Sequence, residues 1–114
     1  MADEKSTSIF KLQAEICQTL ADPTRLMILH ELRDGEMSVG QLTEALDLPQ
    51  SNVSRHLAVL RERGVVKTRR EGTSIFYSLS DPKIALACDM VREVLEGHLT
   101  RTQHLATSLG LRTD

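Results

Sequence analysis

The chain has no tryptophan, and its only aromatic residues are Phe10, Phe76 and Tyr77. A core built from it must therefore be mostly aliphatic. It has two cysteines, Cys17 and Cys88, far apart and without Cys-x-x-Cys spacing, which excludes a disulfide framework. No apolar run approaches the roughly 20 residues of a membrane span. The opening MADEKSTSIF is acidic and polar and does not fit a secretory signal. There is no Gly-rich phosphate loop, no recognisable carboxylate pair and no nucleophile with an obvious base, so an enzyme is not expected. No cofactor and no membrane partner are expected either, and the location expected is cytoplasmic.

The chain also lacks a net positive charge: it carries −2 over 114 residues. The distribution is uneven. Residues 50–73 hold Arg55, Arg61, Arg63, Lys67, Arg69 and Arg70 against Glu62 and Glu71, a local +4, which leaves −6 elsewhere. Phosphate attraction acts over about one Debye length, ~8 Å at physiological salt. A basic segment can therefore dock on a polyanion even in an acidic chain.

The pattern predicts one α+β domain, mainly α with a small β-hairpin, over residues 8–109, with tails at 1–7 and 110–114. From Ser8 to Ala21, Ile9, Leu12, Ile16 and Leu20 form one helical stripe, and Phe10, Ala14, Cys17 and Ala21 a second. A helix apolar on two sides has two partners, the core and another subunit. Asp22-Pro23 starts a second helix lined by Leu26, Leu29 and Leu32 and ended by Gly35. Ser38-x-x-Gln41 is a capping box for a third, carrying Val39, Leu42, Ala45 and Leu46. Asp47-Leu48-Pro49 breaks the chain. A fourth helix then runs from Gln50 to Arg63 with Val53, Leu57 and Leu60 inward, and Gly64 stops it. Val65–Arg69 and Ser74–Ser80 read as hairpin strands around Arg70-Glu71-Gly72-Thr73. Asp81-Pro82 opens a last helix to about residue 109, with Ile84, Cys88, Val91, Leu95 and His98 on one stripe.

Helix, tight turn, polar-faced helix and basic hairpin, in that order, make a winged helix-turn-helix, a duplex DNA-binding unit. With Val53, Leu57 and Leu60 inward, Ser51, Arg55 and Glu62 point outward, flanked by Asn52 and Ser54. Such short polar side chains near a helix N-terminus can reach base edges. Their bland reading is a cap and a solvated charge. His56 falls at the core edge, as a structural or phosphate-contacting residue. Lys67 and Arg69 share one hairpin face, with Arg70 at the tip, suited to phosphate or the minor groove. The bland reading there is a cation-protected edge strand. The competing function is a winged-helix protein-interaction module that binds no DNA.

Three stretches, LADPTRLMILHEL, EMSVGQLTEALDLPQSNVSRHLAVLRERGVV and KTRREGTSIFYSL, resemble the ArsR/SmtB family of winged-helix repressors. The resemblance spans about residues 12–100. It implies a homodimer, joined through helices 8–21 and 81–109, that binds a near-palindromic duplex operator and is released by a small or inorganic inducer. It places Gln50, Ser51, Ser54 and Arg55 at the family's major-groove positions. The metal motifs are missing. Ser38 and Gly40 stand where arsenic-type members have cysteines, and of the zinc-type ligands only Asp81 is matched, with Lys83, Val94 and Gly97 at the other positions. His98 and His104 are six apart, on different helix faces. No metal is therefore expected. Cys17 and Cys88 fall on the two interface helices and have two readings, small core residues or a thiol-sensing, soft-ligand pair. Members that sense oxidants through two cysteines keep one on the second helix, where this chain has His30.

Overall fold

The computed structural model describes residues 4–110. Helix α1 (Glu4–Thr19) leads to α2 (Pro23–Glu31), which ends in a 3-10 turn, Leu32–Asp34. Strand β1 (Met37–Ser38), α3 (Val39–Leu46) and α4 (Gln50–Glu62) follow, then β2 (Val66–Glu71), β3 (Ser74–Leu79) and the long α5 (Pro82–Ser108).

The helix starts are local chemistry. Asp22 accepts the Arg25 N–H at 3.1 Å, with Pro23 in the first turn of α2. Ser38 and Gln41 form a reciprocal capping box at α3. Asp81 accepts the Lys83 N–H at 2.9 Å to open α5. Asp47, at φ 53°, closes α3 in the left-handed region, which Asp tolerates better than most residues.

Ile28, Leu29, Leu32, Leu42, Val53, Leu57, Leu60 and Val65 are essentially without exposure and form an aliphatic core between α2, α3, α4 and the sheet. Leu26 was expected in it but is 40% exposed, and Ile28 takes the place. At about 100° per residue, Leu26 lies roughly 110° from the centre of the Ile28–Leu32 stripe. On α3, Leu42 is buried and Ala45 exposed.

The amino-terminal boundary and the wing differ from expectation. Helix α1 begins at Glu4, so residues 4–7 are helical and not a tail. No glycine or proline intervenes before Ser8, so nothing stops the helix there. Residues 1–3 and 111–114 of the expected tails lie outside the described residues. The hairpin pairs further than its composition suggests: Arg70↔Ile75 and Glu71↔Ser74 continue the ladder, leaving a two-residue loop, Gly72-Thr73. Gly72, at φ 62°, supplies the positive φ that a type II′ turn needs at its first central position. Arg70 is therefore a strand residue and not the tip. Strand β1 was not foreseen. It makes the sheet three-stranded, in the order β1-β3-β2, through Met37↔Tyr77 and Ser38↔Phe76.

Leu57→Ala removes a fully buried side chain from the middle of α4. It should lower unfolding free energy by about 2–5 kcal/mol, measured by urea denaturation; a loss under about 1 kcal/mol would mean the core is not packed as described.

Candidate nucleic-acid interface

Helix α4 presents two opposite faces. Val53, Leu57 and Leu60 are fully buried on one, while Ser51 and Arg55 are exposed on the other; Gln50 is exposed at the helix start, and Asn52 and Ser54 are half-buried. Arg55 Nη2 donates to Asn52 Oδ1 at 3.0 Å, which steadies the guanidinium along the face. Helices α2, α3 and α5 are capped by Asp22, Ser38 and Asp81, but α4 is entered from Pro49, with no side-chain cap. The first backbone N–H groups of α4 are thus left for an outside acceptor, and a helix amino end favours anions.

His56 is buried, as its position at the core edge suggested. Its Nδ1 accepts a hydrogen bond from Arg25 Nε at 3.2 Å, and Arg25 Nη1 donates to the Thr19 carbonyl at 3.1 Å. Arg25 was not singled out in the sequence. Its Asp-Pro-x-Arg setting marks a helix start, and nothing local points to a partner 31 positions away.

The wing separates its cations. Val66, Thr68 and Arg70 pair with Leu79, Tyr77 and Ile75 on one face; Lys67, Arg69 and Glu71 pair with Ser78, Phe76 and Ser74 on the other. Arg69 lies over the Phe76 ring, 4.9 Å from its centroid, and reaches across β3 to Glu36. Its Nη2 and Nε donate to the two Glu36 carboxylate oxygens at 2.6 and 3.1 Å, and its Nη1 to Glu71 at 2.8 Å. The hydrogen bonds from Arg69 hold the Glu36 carboxyl below its ordinary range, and the two carboxylates push the guanidinium pKa up. Arg69 is thus ion-paired on the exposed face of the sheet, where the sequence suggested a free phosphate contact beside Lys67. Lys67 and Arg70 are exposed and, among the described residues, have no side-chain partner.

Beyond the wing, α5 packs through Ile84 and buried Ala85, then is tied back to α2 and its 3-10 turn by polar contacts. Arg33 Nη1 donates to both Asp89 oxygens at 3.2 Å, Arg92 Nη2 donates to Asp89 at 2.6 Å, and Arg92 Nη1 lies 3.1 Å from His30 Nδ1. The remaining length of α5 shows its apolar side to solvent. Met90, Val91 and Val94 are each more than 60% exposed, and Ile9, Phe10 and Leu12 of α1 more than 55%.

The sequence profile described as "Bacterial regulatory protein, arsR family" matches residues 22–68. An HTH-type transcriptional regulator of Mycobacterium tuberculosis, Rv0081, is 42% identical over 92 residues, 80% of this chain and 81% of that protein. The chain belongs to the ArsR family. The crystal structure of Rv0081 superposes with a TM-score of 0.72, covering 82% of this chain and 95% of that one at 41% identity. That of the transcriptional repressor BigR from Xylella fastidiosa gives a TM-score of 0.71 at 36% identity, covering 82% and 96%. The homodimeric winged helix-turn-helix DNA-binding domain Mb0332 of Mycobacterium bovis gives 0.77 at 28% identity, covering 88% and 93%. The fold is a winged helix-turn-helix, and the chain is a transcriptional regulator.

In this ArsR regulator both cysteines are free thiols. Cys17 is exposed in the single chain, and Cys88 is half-buried. Burial pushes the Cys88 thiol up, against the pull of Arg92, so it is a poor thiolate at neutral pH. Among the described residues, no three His, Cys, Asp or Glu side chains are grouped to hold a metal ion, and no helix is long and apolar enough to cross a membrane.

The Glu36–Arg69 link has a defined pH dependence. Because the Glu36 carboxyl is depressed in the folded chain, its contribution to stability is complete above the ordinary value of 4.5 and is lost as pH falls through the folded value. Glu36→Gln should therefore destabilise at pH 7, with the difference from wild type shrinking toward zero as pH falls below 4.5. Thermal melts across that range test it; a difference that persists unchanged in acid would contradict the assignment.

Proposed function

We propose that this ArsR-family regulator is a homodimeric, sequence-specific repressor that holds a near-palindromic duplex operator through α4 and the wing. The observation that carries the reading is the exposed polar face of Ser51 and Arg55, opposite buried Val53, Leu57 and Leu60 and next to exposed Gln50 at an uncapped helix start. Ser51 and Ser54 have side chains short enough for base edges, Asn52 and Arg55 supply amide and guanidinium donors, and Gln50 leads the helix into the major groove. Lys67 and Arg70 serve as the wing's phosphate contacts, and Arg69 shapes the wing without lending its charge to DNA. The chain acts by binding, not catalysis, and a cytoplasmic location fits that role.

The second subunit follows from α1 and α5. Among the described residues, eleven of the thirteen large apolar side chains left exposed lie on these two helices or at the residue capping α5. A small monomer rarely leaves so many large apolar side chains uncovered on two helices, and a two-fold dimer would bury the same surface of each copy. Two α4 helices would then enter successive major grooves about 34–36 Å apart. The similarity to a homodimeric DNA-binding domain and to a named repressor supports this reading. Release would come from a small or inorganic, thiol-directed inducer at Cys17 and Cys88. Cys17 is the more accessible thiol in the single chain.

Gel shifts against a salt series test the DNA assignment. Arg55→Ala should change sequence preference as well as affinity. Arg70→Ala should weaken binding on all sequences and reduce the salt slope by about one, whereas Arg69→Ala should leave that slope nearly unchanged. An Arg55→Ala protein with intact affinity and preference would remove α4 from the interface, and no binding by wild type would favour a protein-interaction module.

Val91→Glu should place an unpaired carboxylate in the subunit seam and shift the protein to monomers in sedimentation. A variant that stays dimeric would put the interface elsewhere.

A further inference from the structure

Arg69 carries its charge away from the free edge of the wing. The strand order is β1-β3-β2, so β2 has one unpaired edge, and Arg69 belongs to β2. Its side chain crosses β3 over the Phe76 ring and ends at Glu36, directly before β1 on the other edge of the sheet. Glu36 takes the guanidinium in a two-pronged grip, 2.6 Å from Nη2 and 3.1 Å from Nε, and Glu71 takes Nη1 at 2.8 Å. Paired contacts of this kind fix a guanidinium in direction as well as in charge, and they are the contacts it would make with a phosphate.

We propose that Glu36 and Glu71 are specificity-determining residues that act as internal phosphate mimics: they hold Arg69 out of the DNA interface and so withhold a sequence-independent contact from the wing. The inference rests on the reading of α4 and the wing as the DNA-binding surface.

Lys67 shows where that contact would lie. It shares the Arg69 face of β2, two residues away, which is about 7 Å along a strand. It is exposed and has no side-chain partner among the described residues. A phosphate held by Lys67 is therefore within reach of an arginine at position 69 whose side chain is free to turn outward. With both carboxylates in place the charge at this spot sums to about −1, which repels a phosphate; with both neutralised it becomes about +1. The hydrogen bonds from Arg69 hold the Glu36 carboxyl below its ordinary range, so the grip is intact at neutral pH. All three side chains are well exposed, and exposed ion pairs contribute little to folding. The β2–β3 ladder, paired from Val66↔Leu79 to Glu71↔Ser74, keeps the wing in place without them. A phosphate contact carries no base information. Withholding one leaves a larger share of the binding free energy to the side chains of α4.

The test is fluorescence anisotropy over a salt series, with a duplex selected by the wild-type protein and a random-sequence duplex of equal length. The Glu36→Gln/Glu71→Gln protein should bind both duplexes more tightly, about fivefold or more at about 0.1 M salt. Its plot of log K against log salt should steepen by about 0.9, the value of one added phosphate contact. In an Arg69→Ala background the same two substitutions should leave the slope unchanged. An unchanged slope in the double variant, or an equal steepening without Arg69, would overturn the proposal. Nitrogen NMR of the wild-type guanidinium gives a check that needs no variant. The Arg69 Nε–H signal should stay where it is when duplex is added, and a shift showing loss of the Glu36 bond would overturn the proposal. Wild type that binds neither duplex would overturn the DNA reading, and the proposal with it.

Discussion

Val53, Leu57 and Leu60 have no solvent exposure, and their burial fixes the rotation of α4 about its own axis. With a repeat of 3.6 residues, that choice leaves Ser51 and Arg55 on the opposite side. The polar face is thus set by the packing behind it. Each buried aliphatic group contributes about 1.5–3 kcal/mol relative to exposure, so no rearrangement of exposed polar residues competes with it. The capping of α2 and α3 and the left-handed turn at Asp47 bring the other walls of that core into place.

Electrostatics then decides which cations are available. Arg69 and Arg70 are adjacent in the chain but opposite in the sheet. One is spread over Phe76 and gripped by Glu36 and Glu71, while the other is exposed and unpaired among the described residues. Two carboxylates around one guanidinium bring the local charge at Arg69 to about −1, which is a poor place for a phosphate. The same local logic explains how an acidic chain can present a basic edge. Most of its carboxylates lie outside residues 50–73, and charges more than a screening length apart hardly interact.

Much of the fold was legible because its signals are local. Asp22-Pro23, Ser38-x-x-Gln41 and Asp81-Pro82 start helices through contacts within three residues. The inward set on α4 followed from its periodicity. What escaped depends on register and on distant partners. Strand β1 is two residues long, too short for a period-2 pattern, and exists because Met37 and Ser38 meet β3. The pairing of Arg69 with Glu36 spans 33 positions and arises only once three strands lie side by side. His56 could be placed at the core edge from its angle on α4, but its partner could not. The extra turn of α1 before Ser8 lies in a polar stretch that reads as a tail, although nothing in it breaks a helix. The exposed polar face of α4 was legible to the residue; the division of labour among the wing cations was not.

The central claim is that two copies of α4 read one duplex from successive major grooves. Hydroxyl-radical footprinting on a duplex selected from a random pool addresses it directly. The account predicts two symmetric protected regions whose centres lie about 10 base pairs, or 34–36 Å, apart, with guarded flanks where the wings sit. A single protected region, or protection without two-fold symmetry, would contradict it.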